Sequence, residues 1–437
     1  MKSLLLILTT IVLTMNISFA DNFHPNRLMV KVKAGESLPS STFITKSKVL
    51  FGNVYVLYTN ELEKLNKELS NHPAIAIVEK DFKAKQRVLA KFVPNVISDK
   101  DLSAGPFNDP KIGKQWTFKK ASNNGISVSA AYLNRRTSPR KEIIVAVVDT
   151  GVDYNHQDLK NVMWTNPGEI SGNGIDDDGN GYIDDIHGIN TLVRDSNGNA
   201  TMNMMDAHSH GTHVSGSIGA EQNNNIGVAG VASNVRIMGI RTVPNSSDEL
   251  DVDVVEAFIY AAKNGARIIN CSFGKARNEG GMIVSEAIDF IGKNYGTLVV
   301  AAAGNDSRNI DNRATYPATF QNETLLVVAS TSSRGGMSYF SNYGIKNVDV
   351  AAPGSAIYST VPGNKYSSMS GTSMASPNTA GLAAEVLAHF PELSPIELKK
   401  VLMNSVTKVS RFSNKVMSGG RIDLEKALDL ALTNSQK

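Results

Sequence analysis

Ile143-Ile144-Val145-Ala146-Val147-Val148 is an unbroken apolar run, and it ends on Asp149-Thr150-Gly151. Six apolar residues with no polar alternation read as a strand buried on both faces. Comparable runs recur at Val235–Val243, Ala266–Cys271, Thr297–Ala303, Thr324–Ala329 and Val348–Ala351. Helical stretches such as Leu250–Asn264 and Met282–Lys293 lie between them. Strands alternating with helices predict an α/β fold, a parallel sheet flanked by helices on both faces. In such sheets chemistry sits beyond the carboxyl ends of the strands, which is where Asp149 falls.

Upstream lies a different pattern. Arg27–Lys33 and Val54–Thr59 alternate as half-buried strands, and Ile75–Glu79 reads as a third. Leu62, Leu65 and Leu69 recur at helical spacing over Glu61–Leu69. A small α+β unit is expected here, followed by a basic stretch at Lys83–Arg87 and a polar segment to about Pro106. The chain itself opens with Lys2, the apolar run Leu4–Leu13 and the small-x-small tripeptide Ser18-Phe19-Ala20. That is the grammar of an export signal cleaved after Ala20; the alternative is an uncleaved anchor. The expected division is therefore a signal peptide at 1–20, a small domain at 21–106 and a large domain at 107–437.

Composition excludes several classes. Of 437 residues, 41% are hydrophobic and 19% charged, enough apolar material for a large core and against wholesale disorder. Lys and Arg number 44 against 41 Asp and Glu, a net charge of +3, too small to imply nucleic acid as a partner. Cys271 is the one cysteine, so no intrachain disulfide can form. No segment after the signal approaches the ~18 apolar residues a membrane span needs. An exported protein without disulfides calls for another staple, and bound metal is one candidate.

Three short stretches carry the chemistry. Asp149 can orient a histidine; an aspartic-protease reading of Asp-Thr-Gly would need a second such carboxylate, and the chain has only one such tripeptide. His208, His210 and His213 fall within six residues, either as zinc ligands or with one of them as a general base. Ser373, in Gly371-Thr-Ser373-Met-Ala-Ser-Pro377, precedes an Ala-rich apolar helix over Ala380–Phe390. A serine at a helix start faces the positive end of the helix dipole; the plainer reading is a helix cap. Asp149, His210 and Ser373 in that chain order form a possible relay triad.

The set resembles the subtilisin-like serine proteases of the subtilase family. The resemblance rests on Asp149-Thr-Gly-Val-Asp-Tyr-Asn-His-Gln-Asp-Leu159, His210-Gly-Thr-His-Val-Ser-Gly216, Asn270-Cys-Ser-Phe-Gly274, Ala301-Ala-Ala-Gly-Asn305, Ala351-Ala-Pro-Gly354 and Gly371–Pro377. It spans about 109–428 and implies a subtilisin-like fold preceded by an inhibitory propeptide of α+β type, removed by the enzyme itself near 90–107. The competing reading of that unit is a permanent substrate-binding domain.

The resemblance also implies roles. Ser373 would be the nucleophile, His210 the base, Asp149 its orienter and Asn305 an oxyanion-hole donor. Ser272, Phe273 and Gly274 would form the peptide-binding edge, with Ala302, Ala303 and Gly304 as the opposite wall of the pocket for the residue before the scissile bond (P1). Thr315 would lie near its base, and a broad apolar P1 preference is expected. Where relatives often have histidine, this chain has Asn378, a packing position rather than a chemical one. Cys271 reads as a small buried residue.

Calcium is expected at two places. Asp176, Asp178, Asn180 and Asp184 fall at positions 1, 3, 5 and 9 of an EF-hand-like loop, with Gly181 at 6 and His187 in place of the usual Glu at 12. The resemblance implies a second site at Gln222–Val228, using Asn224 and Asp158, with Asp109 within possible reach. The expected function is thus a secreted, calcium-stabilised serine endopeptidase, with a periplasmic location left open. It would act as a monomer on protein or peptide substrates, with its own propeptide as intramolecular inhibitor. The other readings are a non-enzymatic peptide-binding relative and a zinc hydrolase using His208, His210 and His213.

Overall fold

A computed structural model describes residues 23–83, 91–92 (backbone only), 105–135, 137–246, 249–275 and 281–436. The export segment and most of the 90–107 junction lie outside these residues.

The apolar runs assemble as expected. Adjacent strands of the large sheet follow the order Thr407–Lys408, Gly420–Arg421, Val350–Pro353, Leu325–Thr331, Leu298–Ala302, Ile268–Cys271, Ile143–Asp149, Val235–Arg241, Gly188–Arg194 and Ala200–Thr201. All neighbours pair parallel except the first and last pairs, which are antiparallel. Val145, Ala146, Val147 and Val148 are fully buried, as a strand covered on both faces requires.

Helices His210–Gly219, Thr372–His389, Pro395–Asn404 and Leu424–Ser435 supply the core on one face of the sheet. Asp251–Lys263 and Met282–Tyr295 supply it on the other. The helix expected from Ala380 begins earlier, at Thr372, so Ser373 sits in its first turn. Pro377 is the sixth residue of the helix and has no N–H to give the Ser373 carbonyl, which accepts from Ser272 Oγ at 3.0 Å instead.

The N-terminal unit is a four-stranded antiparallel sheet in the order Lys46–Phe51, Val54–Tyr58, Phe23–Val32, Ile75–Phe82. Leu62, Leu65 and Leu69 bury one face of the Leu62–Ser70 helix against it. The opposite face carries Met29, Leu50, Phe51, Val54 and Val56 into the core beneath helices 251–263 and 282–295. Phe51 and Phe290 meet with ring centroids 5.0 Å apart.

Candidate active site

Three adjacent strands end side by side and present the candidate residues. Asp149 closes its strand, Ser272 follows Cys271 on the neighbour, and Asn305 lies three residues past Ala302, the end of the next. The strand order reverses around the 143–149 strand, the place where open α/β sheets form a crevice. The helices starting at His210 and Thr372 pack closely beneath: a Cβ on Gly381 would lie 2.9 Å from the Ile218 carbonyl oxygen.

Asp149 and His210 are both buried, and His210 Nδ1 lies 2.7 Å from Asp149 Oδ1. Thr150 N donates to the same oxygen at 2.7 Å. The Asp149 carbonyl accepts from Thr242 N and Val243 N, which pins the strand end. Ser373 Oγ donates to the Ser272 carbonyl at 3.0 Å, and Ser272 Oγ donates to the Ser373 carbonyl at 3.0 Å. Asn305 Oδ1 accepts from Thr372 N at 2.8 Å and Thr372 Oγ1 at 3.0 Å. That identifies the oxygen end of the amide, so Nδ2 is its donor. The Ser373 amide belongs to the helix's first turn, whose N–H groups have no intrahelical acceptor.

The segments expected to border the substrate, Ser272–Gly274 and Ala302–Gly304, both approach Thr315. Lys275 and Tyr316 exchange backbone hydrogen bonds of 2.8 Å, bringing Thr315 beside Gly274. A Cβ on Gly274 or Gly304 would meet Thr315 Cγ2 at 3.7 or 3.5 Å, so the methyl closes the gap between the two walls. Arg308 Nη2 donates to Thr315 Oγ1 at 2.8 Å and pairs with Asp306 at 3.3 Å. Asn342, which the sequence did not mark, holds the far wall. Its Nδ2 donates to the Ala303 carbonyl, and its Oδ1 accepts from Asp306 N and Arg308 N. Asn378 is buried and donates to the Pro353 and Met374 carbonyls, a packing role. Cys271 is buried as expected.

The three histidines do not converge. His213 Nε2 faces the Ile357 and Ser367 carbonyls, and burial beside His210 lowers its pKa to about 3. His210 Nδ1 is engaged by Asp149, and the His208 and His210 rings lie 6.5 Å apart between centroids, tilted by 59°.

Carboxylates gather at both expected calcium regions. Asp158 accepts from Asn224 Nδ2 at 2.9 Å, Val228 N at 2.9 Å and Tyr366 Oη at 3.0 Å. Asp109 Oδ2 accepts from Asn223 N at 3.0 Å, while its buried Oδ1 has no hydrogen-bond partner among the described residues. Burial pushes both carboxyls above their ordinary pKa. A buried anionic oxygen with no donor is chemically suited to a cation.

In the acidic loop, carboxylate oxygens of Glu169, Asp178 and Asp185 lie within 4.8 Å of one another. Of the four loop residues singled out by spacing, Asp178 belongs to that group and Asn180 donates to it at 3.0 Å. Asp176 instead accepts from Asn180 N and Gly181 N, and Asp184 from Gly172 N and Gly174 N. Glu169 and Asp185 were missed because an EF-hand spacing includes neither.

The N-terminal unit is bound to the large one by charge and backbone contacts. Asp81 Oδ1 accepts from Val252 N at 2.9 Å, and Glu79 accepts from Met282 N and Ile283 N at 2.9 and 3.1 Å. Two of its carboxylates thus cap two helices of the large unit. Arg27 pairs with Asp81 at 2.7 Å and with Asp253 at 3.1 Å. The backbone of Lys91–Phe92 pairs antiparallel with Ser370 and Met369, three residues ahead of Ser373.

Subtilisin-like protease 1 of Plasmodium berghei is 34% identical over 308 residues, covering 66% of this chain and 50% of that protein. The thermophilic serine proteinase of Bacillus sp. strain AK1 is 33% identical over 355 residues, covering 81% of this chain and 73% of that protein. The chain spans about half the length of the Plasmodium relatives it matches. Among solved structures, a protease from Pseudoalteromonas arctica aligns with a TM-score of 0.60 at 26% identity, covering 74% of this chain and 99% of that one. Fervidolysin from Fervidobacterium pennivorans aligns with a TM-score of 0.71 at 22% identity over 93% of this chain and 61% of that one, a likeness of fold. Residues 140–419 match the family described as Peptidase S8, subtilase family, and the chain belongs to it.

Proposed function

We propose that the chain is an exported serine endopeptidase that hydrolyses peptide bonds through Asp149, His210 and Ser373 and is processed from its own proenzyme. The 2.7 Å contact between His210 Nδ1 and Asp149 Oδ1 carries this reading. It assigns the ring proton to Nδ1 and leaves Nε2 as the basic nitrogen. Ser373 Oγ attacks the substrate carbonyl carbon as its proton passes to His210 Nε2. Asn305 Nδ2 and the Ser373 N–H donate to the oxyanion that forms. The C–N bond then breaks, His210 returns the proton to the leaving amine, and water repeats the sequence on the acyl-enzyme. Substrate lies as an added strand along Ser272–Gly274. Purified protein is expected to hydrolyse casein and to lose that activity to a serine-directed sulfonyl fluoride. Hydrolysis that resists the reagent contradicts the reading.

Three contacts support the propeptide reading of the N-terminal unit: the Glu79 cap, the Asp81 cap and the antiparallel strand at Lys91–Phe92. A matured N-terminus near 107 supports it over a permanent substrate-binding domain.

Thr315 sets the depth of the P1 pocket. Thr315→Gly removes the methyl between Gly274 and Gly304 and is expected to raise kcat/KM for a P1 Phe peptide by roughly 10-fold relative to P1 Ala. Rates for a P1 series test this, and an unchanged ratio contradicts it.

Calcium would bind Asp109, Asp158 and Asn224, and Glu169, Asp178 and Asp185, as a structural ion that neutralises buried carboxylates. A ligand held at ~100 times its Kd adds roughly 2.7 kcal/mol. Chelation is therefore expected to lower Tm by about 4 °C per ion lost for a domain of this size. Calcium, and not magnesium, restores it in a thermal melt; a Tm indifferent to chelator contradicts the assignment.

A further inference from the structure

Asp206 lies four residues before His210 and is buried. Its Oδ1 accepts from Thr150 Oγ1 at 3.0 Å, His208 N at 2.8 Å and Ser209 N at 3.0 Å. Its Oδ2 accepts from Thr212 N at 3.0 Å and Thr212 Oγ1 at 2.6 Å. Five donors thus converge on one carboxylate, and they come from both sides of the Asp149–His210 pair. Thr150 and Thr212 extend the connection. Thr150 Oγ1 accepts from Gly211 N at 3.0 Å, and Thr212 Oγ1 accepts from Asp153 N at 3.0 Å.

The segments being tied are already pressed together. A Cβ on Gly211 would lie 2.0 Å from the Gly151 carbonyl oxygen, and one on Gly151 would lie 2.2 Å from that of Met204. Between them Ser209 adopts φ +87°, a left-handed conformation that a serine holds only where its surroundings enforce it. Asp206 supplies that enforcement through Ser209 N.

We propose that Asp206 is a positioning residue for the reaction: it locks the strand end at Asp149–Thr150 to the helix start at His210–Thr212 and so fixes the imidazole against its carboxylate. The inference rests on the triad reading above. None of the five bonds is to the His210 ring, so Asp206 acts through placement. The position demands a carboxylate. Asparagine offers one acceptor oxygen, and its NH₂ would face either the Thr212 donors or those on the Thr150 side. A negative charge at this helix start is also favoured by the helix dipole.

The test compares Asp206→Asn, Thr150→Val, Thr150→Ser and the Asp206→Asn/Thr150→Val pair in the full chain, with kcat normalised to titrated active sites. Misplacement of a reacting group by about 1 Å can cost ~10²-fold. Asp206→Asn is expected to lower kcat by roughly 10–100-fold with KM within about 2-fold, and Thr150→Val by about 10-fold. The double variant is expected to match the worse single, because both break one linkage. Thr150→Ser, which keeps the hydroxyl, is expected to retain wild-type kcat. An unchanged kcat in Asp206→Asn, a loss expressed in KM, or losses that multiply in the pair overturns the proposal. If Asp206→Asn does not fold, the Thr150 variants decide: equal kcat in Val and Ser overturns it. A wild-type chain lacking serine-dependent hydrolysis overturns the triad reading itself and this inference with it, an outcome distinct from an active enzyme indifferent to Asp206.

Discussion

Ser373→Ala is expected to lower kcat by on the order of 10⁶-fold and to leave the N-terminal unit covalently attached. The substitution removes the nucleophilic oxygen and one 3.0 Å hydrogen bond to the Ser272 carbonyl. That bond is worth about 1 kcal/mol, so folding is expected to survive. Alanine is also the best helix former, and position 373 lies in the first turn of an 18-residue helix. His210→Ala is expected to cost about as much, and the double variant little more, because nucleophile and base act as one unit. Peptide hydrolysis and electrophoresis of the secreted protein read both consequences. Activity above about 1% of wild type in Ser373→Ala, or appearance of a shortened chain, contradicts the assignment.

Asp149→Asn is expected to lower kcat by roughly 10⁴-fold with little change in KM. The Asp149 carboxylate is fully buried and accepts from both Thr150 N and His210 Nδ1 through one oxygen. Asparagine keeps an acceptor for Thr150 N but loses the charge that stabilises the imidazolium. Its NH₂ also permits the opposite tautomer, in which His210 Nε2 carries the proton and cannot accept one. A loss below about 10-fold would mean that the 2.7 Å contact orients the ring without supporting the proton transfer.

The large sheet was legible because burial on both faces leaves an uninterrupted apolar run, as at Ile143–Val148. Gly188–Arg194 was not, because Asn190, Thr191 and Arg194 break its pattern; Thr191 and Arg194 bond to neighbours that no local spacing reveals. The two-residue strand Gly420–Arg421 is too short to carry any period. Asp149, His210 and Ser373 were picked out by their chain order and by the family resemblance, since each stretch alone allowed other readings; the fold brings Asp149 and His210 to 2.7 Å. Asp206 and Asn342 were not, because their function lies in hydrogen bonds to backbone brought together by the fold. The acidic loop was half legible. Spacing found Asp178, while Glu169 and Asp185 join it only once the loop closes.

The central claim, that Ser373 is the nucleophile activated by His210, is tested most directly by covalent capture. Full-length protein is treated with a fluorophosphonate, and the adduct is located by peptide mass spectrometry in wild type and in His210→Ala. One adduct is predicted, on the peptide holding Ser373 in wild type, as its oxygen displaces fluoride; His210→Ala is predicted to label at least 10³-fold more slowly. Casein hydrolysis that continues with Ser373 unmodified, or equal labelling in the two proteins, contradicts the account.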